Sequence, residues 1–213
     1  ATVQPHDVFL YFEDRRITFG EMASMVNAEA ARLSTLGIRE GQHVALFCGN
    51  RPAFLIAWFA LTEIGAVTVP LNTALIGEGL RYSLAQSESE LLIVEPTLYE
   101  RIRRDLELLQ FPLPIRLIDD AIETVPIPSP PRRQRPGNNG DLNAILYTSG
   151  TTGLPKGAMI PNGNFLQAGD DMVESLNLTS DDRIMVFLPL FHANPQMYGV
   201  SSALAIGCSL ILV

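Results

Sequence analysis

The sequence predicts an α/β fold of mostly parallel sheets flanked by helices, and three observations carry that prediction. Short apolar runs of strand length alternate with longer stretches of helical periodicity almost from end to end. The strand-like runs at 43–47, 66–71, 91–94 and 143–147 are close to continuously apolar, as strands of a parallel sheet covered on both faces are. The 213 residues are 47% hydrophobic and 18% charged with a net charge of −8, the balance of a globular chain with ample length for a core.

Taken in order, the apolar run at 8–13 and Ile17 flank Asp14-Arg15-Arg16 and read as a short hairpin. Thr18 and Glu21 stand in capping-box spacing, and Met22, Met25, Val26, Ala30, Leu33 and Leu36 recur at helical spacing up to a stop at Gly37. The strand at 43–47 leads to Asn50, a candidate cap, and to Pro52 in the first turn of a second helix. That helix is apolar nearly all round through Phe54, Leu55, Ile56, Trp58, Phe59, Leu61 and Ile64, which predicts burial between layers. A strand at 66–71, a helix near 76–86, a strand at 91–94, a helix near 98–109 and a strand at 115–118 continue the alternation. After a break come a strand at 143–147, a helix near 164–175, a strand at 183–188, a helix near 197–205 and a strand at 209–213.

The break divides the chain. Residues 1–122 read as a first α/β subdomain and 142–213 as the start of a second. Between them, 123–141 is rich in proline and arginine and closes on Gly137-Asn138-Asn139-Gly140, a linker or long excursion. The acidic balance argues against a general nucleic-acid partner. Cys48 and Cys208 are far apart in apolar surroundings and give neither a disulfide framework nor metal-ligand spacing, which fits a cytoplasmic setting. The most apolar stretch, 53–71, is interrupted by Glu63, Gly65 and Pro70 and is too punctuated to span a bilayer.

Chemistry concentrates in Tyr147-Thr148-Ser149-Gly150-Thr151-Thr152-Gly153-Leu154-Pro155-Lys156-Gly157, which packs three glycines, four hydroxyl side chains and one lysine into eleven positions. Gly150, Gly153 and Gly157 let backbone N–H groups approach an anion without a Cβ in the way. Thr148, Ser149, Thr151 and Thr152 can donate to phosphate oxygens, and Lys156 adds a compact positive charge. A strand running straight into this loop and Pro155 stiffening it argue against a bland surface turn. The P-loop NTPase signature fails on residue identity, because Lys156 lies between Pro155 and Gly157 instead of preceding Ser or Thr.

This run closely resembles the phosphate-loop signature of the adenylate-forming superfamily, which includes acyl-CoA synthetases, luciferases and the adenylation domains of peptide synthetases. Further on, Leu188-Pro189-Leu190-Phe191-His192-Ala193-Asn194 resembles a second motif of that superfamily, in the expected order, and with Pro195-Gln196 it looks most like the fatty-acid and carnitine-CoA ligase type. The resemblance implies an AMP-forming acid–thiol ligase. A carboxylic acid, fatty or otherwise acyl, is activated by ATP with magnesium as an acyl-adenylate and passed to coenzyme A. It further implies that Thr148, Ser149, Gly150, Thr151, Thr152, Gly153 and Lys156 hold the β- and γ-phosphates, with Lys156 a catalytic charge, and that His192 is a gate or phosphate contact bordering the acyl pocket. No residue is assigned as a metal ligand. Asp170-Asp171 and Asp181-Asp182 read as solvated or capping carboxylates, and His6 and His43 as structural.

Two other readings stay open on these residues: an adenylation domain that delivers to a carrier-protein thiol, and a non-catalytic nucleotide-binding scaffold. The chain stops inside an apolar run at 211–213, which reads as a truncation. On the resemblance it is the first part of a large N-terminal domain, with the adenine contacts, the magnesium-positioning acid, the hinge and the catalytic lysine of the C-terminal domain lying beyond Val213. Such a piece is expected to be inactive alone.

Overall fold

The structure, a computed structural model, describes residues 4–120, 137–148 and 155–213. β1 (Val8–Phe12) and β2 (Arg15–Thr18) form a hairpin whose turn places Glu13 at φ 50°. Helix α1 (Phe19–Thr35) opens on a complete capping box: Thr18 Oγ1 accepts from the Glu21 N–H while the Glu21 carboxylate accepts from the Thr18 N–H. β3 (His43–Phe47), α2 (Pro52–Ile64), β4 (Val67–Pro70), α3 (Gly77–Gln86), β5 (Leu91–Val94), α4 (Pro96–Glu107) and β6 (Ile115–Leu117) follow in strict alternation. Then come β7 (Leu142–Thr148), β8 (Lys156–Pro161), α5 (Asn162–Leu176) and β9 (Arg183–Val186). A π-helical turn, Pro195–Val200, runs into α6 (Ser201–Ile206) before β10 (Ser209–Leu212).

Two sheets result, both mostly parallel. The larger has the order β6-β5-β3-β4-β7-β8, and the smaller β2-β1-β10-β9. Each is parallel apart from one antiparallel edge strand, β8 against β7 and β2 against β1. In β3 the side chains alternate between faces: Val44 and Leu46 join one apolar cluster with α1 and α2, while Ala45 and Phe47 join another with Leu80, Leu84 and Ile102 from α3 and α4. Both faces of the central strands are therefore covered.

The largely apolar α2 is mostly buried because it lies between the sheets. Phe59 sits 6.3 Å from Phe9 of β1, and Trp58 sits 5.4 Å from Phe165 of α5. Asn50 does not cap this helix. Arg51 is the N-cap residue without a side-chain bond, and the free Ala53 N–H is met by Asp120 Oδ1 at 3.0 Å, from 67 residues away. Asn177, in the Asn-Leu-Thr triplet, takes the left-handed conformation (φ 52°) that ends α5.

Candidate functional site

β7 carries Thr148 at its C-terminal end and is anchored at both ends. At its start the buried Asn143 accepts from Trp58 Nε1 (2.9 Å) and donates to Thr62 Oγ1 (3.1 Å) and Asn162 Oδ1 (2.8 Å), joining β7 to α2 and α5. At its end the Tyr147 hydroxyl donates to the Ser83 carbonyl (3.1 Å) and is bonded to Gln86 Oε1, fastening the strand to α3. Burial pushes the Tyr147 phenol up to about 12, so it stays a donor at neutral pH.

β8 returns antiparallel, and its register sets Lys156 directly across from Thr148. Both side chains are exposed. Gly157 owes its identity to this crossing: a Cβ there would stand 2.6 Å from Ile145 Cγ2 and 3.5 Å from the Tyr147 ring. Its φ is not positive, so close approach of β8 to β7, and not a special backbone angle, excludes a side chain. Ser149, Gly150, Thr151, Thr152 and Gly153 lie outside the described residues; Thr148 and Lys156 are the residues of the motif that the strand pairing places face to face.

The second motif follows β9, which ends at Val186. Asn50 Oδ1 accepts from the Leu190 N–H at 2.7 Å, and Asn50 Nδ2 donates to the carbonyls of Leu188 and Val213 at 3.0 Å each. Gln196, buried in the π-helical turn, donates to the Leu190 carbonyl at 2.6 Å. Its own Oε1 is buried and has no partner among the described residues. His192 closes a turn through its N–H to Pro189 O (3.0 Å), stacks its ring 4.3 Å from that of Phe191, and is exposed. Among the described residues no hydrogen bond or ion pair joins His192 to Thr148 or Lys156.

A family model described as AMP-binding enzyme matches residues 1–213. The chain belongs to the AMP-binding enzyme family. It is 32% identical, over 93% of its length, to the crotonobetaine/carnitine–CoA ligase of Shigella flexneri serotype 5b, and 31% identical to the Escherichia coli O1:K1 protein of the same description. It spans 41% of the length of either relative. Among solved structures, ATP-bound MatB from Rhodopseudomonas palustris superposes with a TM-score of 0.85 at 24% identity, covering 99% of this chain and 42% of that one. O-succinylbenzoate–coenzyme A synthetase (MenE) from Bacillus subtilis in complex with AMP gives 0.79 at 26%, covering 97% and 52%.

In this AMP-binding family chain an ionic cluster that sequence reading did not find sits beside the candidate site, at the C-terminal ends of β3, β5 and β6. The Arg51 guanidinium bonds Asp120 through Nε (3.0 Å) and Nη2 (2.6 Å) and lies 3.7 Å from Glu95, whose carboxylate also accepts the Gly49 N–H at 3.0 Å. The hydrogen bond from Asp120 drives the arginine pKa further up, and desolvation with the nearby Glu95 holds the Cys48 thiol well above its usual range. No local pattern marks these residues; Arg51 and Asp120 meet only once the sheet has formed. The aspartate pairs act locally. Asp182 accepts from the Thr179 N–H (2.7 Å) and hydroxyl (3.0 Å), and Asp171 accepts from Gln167 one helical turn away. Among the described residues no three His, Cys, Asp or Glu side chains converge to hold a metal ion.

Proposed function

We propose that this chain is part of an AMP-forming acid–thiol ligase that activates a carboxylic acid with ATP and transfers the acyl group to coenzyme A. The observation that carries the reading is the pairing of Lys156 with Thr148 at the root of the glycine-hydroxyl loop, in a family whose matched relatives are CoA ligases. An exposed ammonium facing an exposed hydroxyl across two antiparallel strands, with Cβ-free Gly157 drawing the strands together, fits a polyphosphate lying over the loop.

When bound, ATP supplies the activated phosphorus and the pyrophosphate leaving group. Lys156, with Thr148, Ser149, Gly150, Thr151, Thr152 and Gly153, would hold the β- and γ-phosphates, and Lys156 would stabilise the charge that grows as pyrophosphate departs. Magnesium is proposed only as the ion accompanying the phosphates, because the described residues supply no cage for it. His192, exposed beside Phe191 at the turn after β9, would border the acid. The 213 residues alone are proposed to be inactive, since they span 41% of the length of the relatives.

The test uses the full-length protein: carboxylate-dependent exchange of pyrophosphate into ATP, followed by thioester formation with coenzyme A over a panel of acids. Exchange that no acid supports ends the reading. His192→Ala should change the Michaelis constants and ranking of acids more than that of ATP. A lower melting temperature with an unchanged ranking would assign the histidine to packing instead.

A further inference from the structure

We propose that Asn50 is a positioning residue for the acid end of the site: one carboxamide fixes the Leu190 peptide and, through the turn that follows, His192. The inference rests on the ligase reading above for its kinetic part only. Asn50 follows β3 and precedes α2, the most deeply buried helix of the fold, so its backbone is anchored in the core. From there its amide makes three bonds across 138 to 163 residues of sequence, using both donors and the acceptor of the side chain.

Between Val186 and Leu190 the side chains of Phe187, Leu188 and Pro189 are exposed, Phe187 at 65%, so packing does not set the path of those three residues. Leu190 is buried, and both polar groups of its backbone are satisfied by side chains: the N–H by Asn50 and the carbonyl by Gln196. The next backbone bond, from His192 N–H to Pro189 O, sets the His192 main chain, and so the root of its imidazole, relative to that clamped residue. Asn50 also holds the Val213 carbonyl just after β10, so the ends of β9 and β10 are referred to the same point.

The experiment compares full-length wild type, Asn50→Ala, His192→Ala and the double variant by acid and ATP Michaelis constants and melting temperature. It adds the NMR signal of the His192 imidazole, assigned by its loss in His192→Ala. Asn50→Ala is expected to shift the His192 signal and raise the acid Michaelis constant about tenfold, the scale of one unmade buried hydrogen bond. The constant for ATP should stay within about twofold, and the change in acid ranking should vanish in the His192→Ala background. Should Asn50→Ala not fold, Asn50→Asp keeps the acceptor for Leu190 but turns lone pairs toward the Leu188 and Val213 carbonyls, and the same shift of the His192 signal is expected. An unmoved signal in a folded variant overturns the proposal, as does additivity of the two substitutions on acid ranking. A wild-type protein without acid-dependent exchange ends the ligase reading, while the imidazole signal still decides the clamp.

Discussion

The two regions beside the recognisable motifs, the β7–β8 strand pair and the turn after β9, are held in place by different physics. The strands β7 and β8 are fixed by pairing along six registered positions, and by Tyr147 and Asn143 from within β7 itself. The turn after β9 is fixed by two side-chain amides, Asn50 and Gln196, the first reaching across more than half the chain. A strand end held by its own sheet can change an exposed residue without moving. A turn held by a few polar contacts changes shape when one of them is lost, so chemistry and placement are coupled there.

The largest expected effect tests the first half of that contrast. Lys156→Ala in the full-length protein should lower acid-dependent pyrophosphate exchange by about 10²- to 10³-fold, the scale of removing one preorganised charge from a developing anion. The melting temperature should barely change, because Lys156 is exposed at an edge strand. Thioester formation from supplied acyl-adenylate should suffer less. Lys156 is the chain's only lysine, so amine-directed labelling of this segment followed by mass spectrometry reports on that residue alone. Equal loss in both half-reactions, or a marked drop in melting temperature, would mean that this strand pair too depends on its side chains for shape.

Asp120→Ala probes the base of the other turn. It strips Arg51 of its carboxylate and the α2 N-terminus of its remote cap, next to Asn50. Breaking a largely buried pair costs ~3–5 kcal/mol, and with Arg51 about a third exposed the expectation is nearer ~2–3 kcal/mol in urea unfolding. Glu100→Ala, which removes the solvent-exposed Glu100–Arg103 pair, should change stability by less than ~0.5 kcal/mol. Similar values for the two would show that the cluster is solvated in practice and anchors nothing.

What could be read from the sequence follows the same division. Local and periodic signals were legible: the Thr18 and Glu21 capping box, Pro52 in the first turn of α2, the all-round burial of that helix and the alternation that gives two mostly parallel sheets. β8 went unread. Its apolar run is only Ala158-Met159-Ile160, with Ala158 and Met159 exposed, so neither alternation nor length marks it as a strand. The predicted helix near 197–205 is a π-helical turn joined to a short α-helix, a shift in hydrogen bonding that side-chain periodicity does not encode. Asn50 was misread as a local cap because Asn before Pro at a helix start carries that signal, whereas its partners are 138 to 163 residues away. For the candidate site, Thr148, Lys156 and His192 stand out in the sequence through motif, whereas the contacts that position their backbone do not.

Gly157→Ala asks how tightly the β7–β8 strand pair is packed. The new Cβ would meet the branched methyl of buried Ile145 at 2.6 Å, too close for either strand to ignore, and overpacking of this kind costs ~1–3 kcal/mol. Ile145→Leu, which moves the branch away from Cβ, should restore part of the loss in the double variant. Additive destabilisation, measured by the same urea unfolding, would place the strain elsewhere.

Within the β7–β8 pair a smaller effect belongs to Tyr147→Phe, and its pH dependence carries the information. At neutral pH the substitution removes a phenol that donates to the Ser83 carbonyl and leaves Gln86 Oε1 without that donor, for ~1 kcal/mol. Burial raises the folded phenol to about 12, above the unfolded value near ~10. Below about pH 10 both states keep the proton and the contribution of the tyrosine is complete. Between about 10 and 12 the unfolded phenol ionises while the folded one does not, so the unfolded state binds fewer protons and wild-type stability falls as pH rises. The advantage of wild type over Tyr147→Phe should therefore be constant from about pH 8 to 9.5, then shrink by up to ~1 kcal/mol per pH unit, discounted for partial exposure. A stability difference that stays flat through that window would show that Tyr147 is not held protonated against α3, and that the C-terminal end of β7 is looser than its strand register implies.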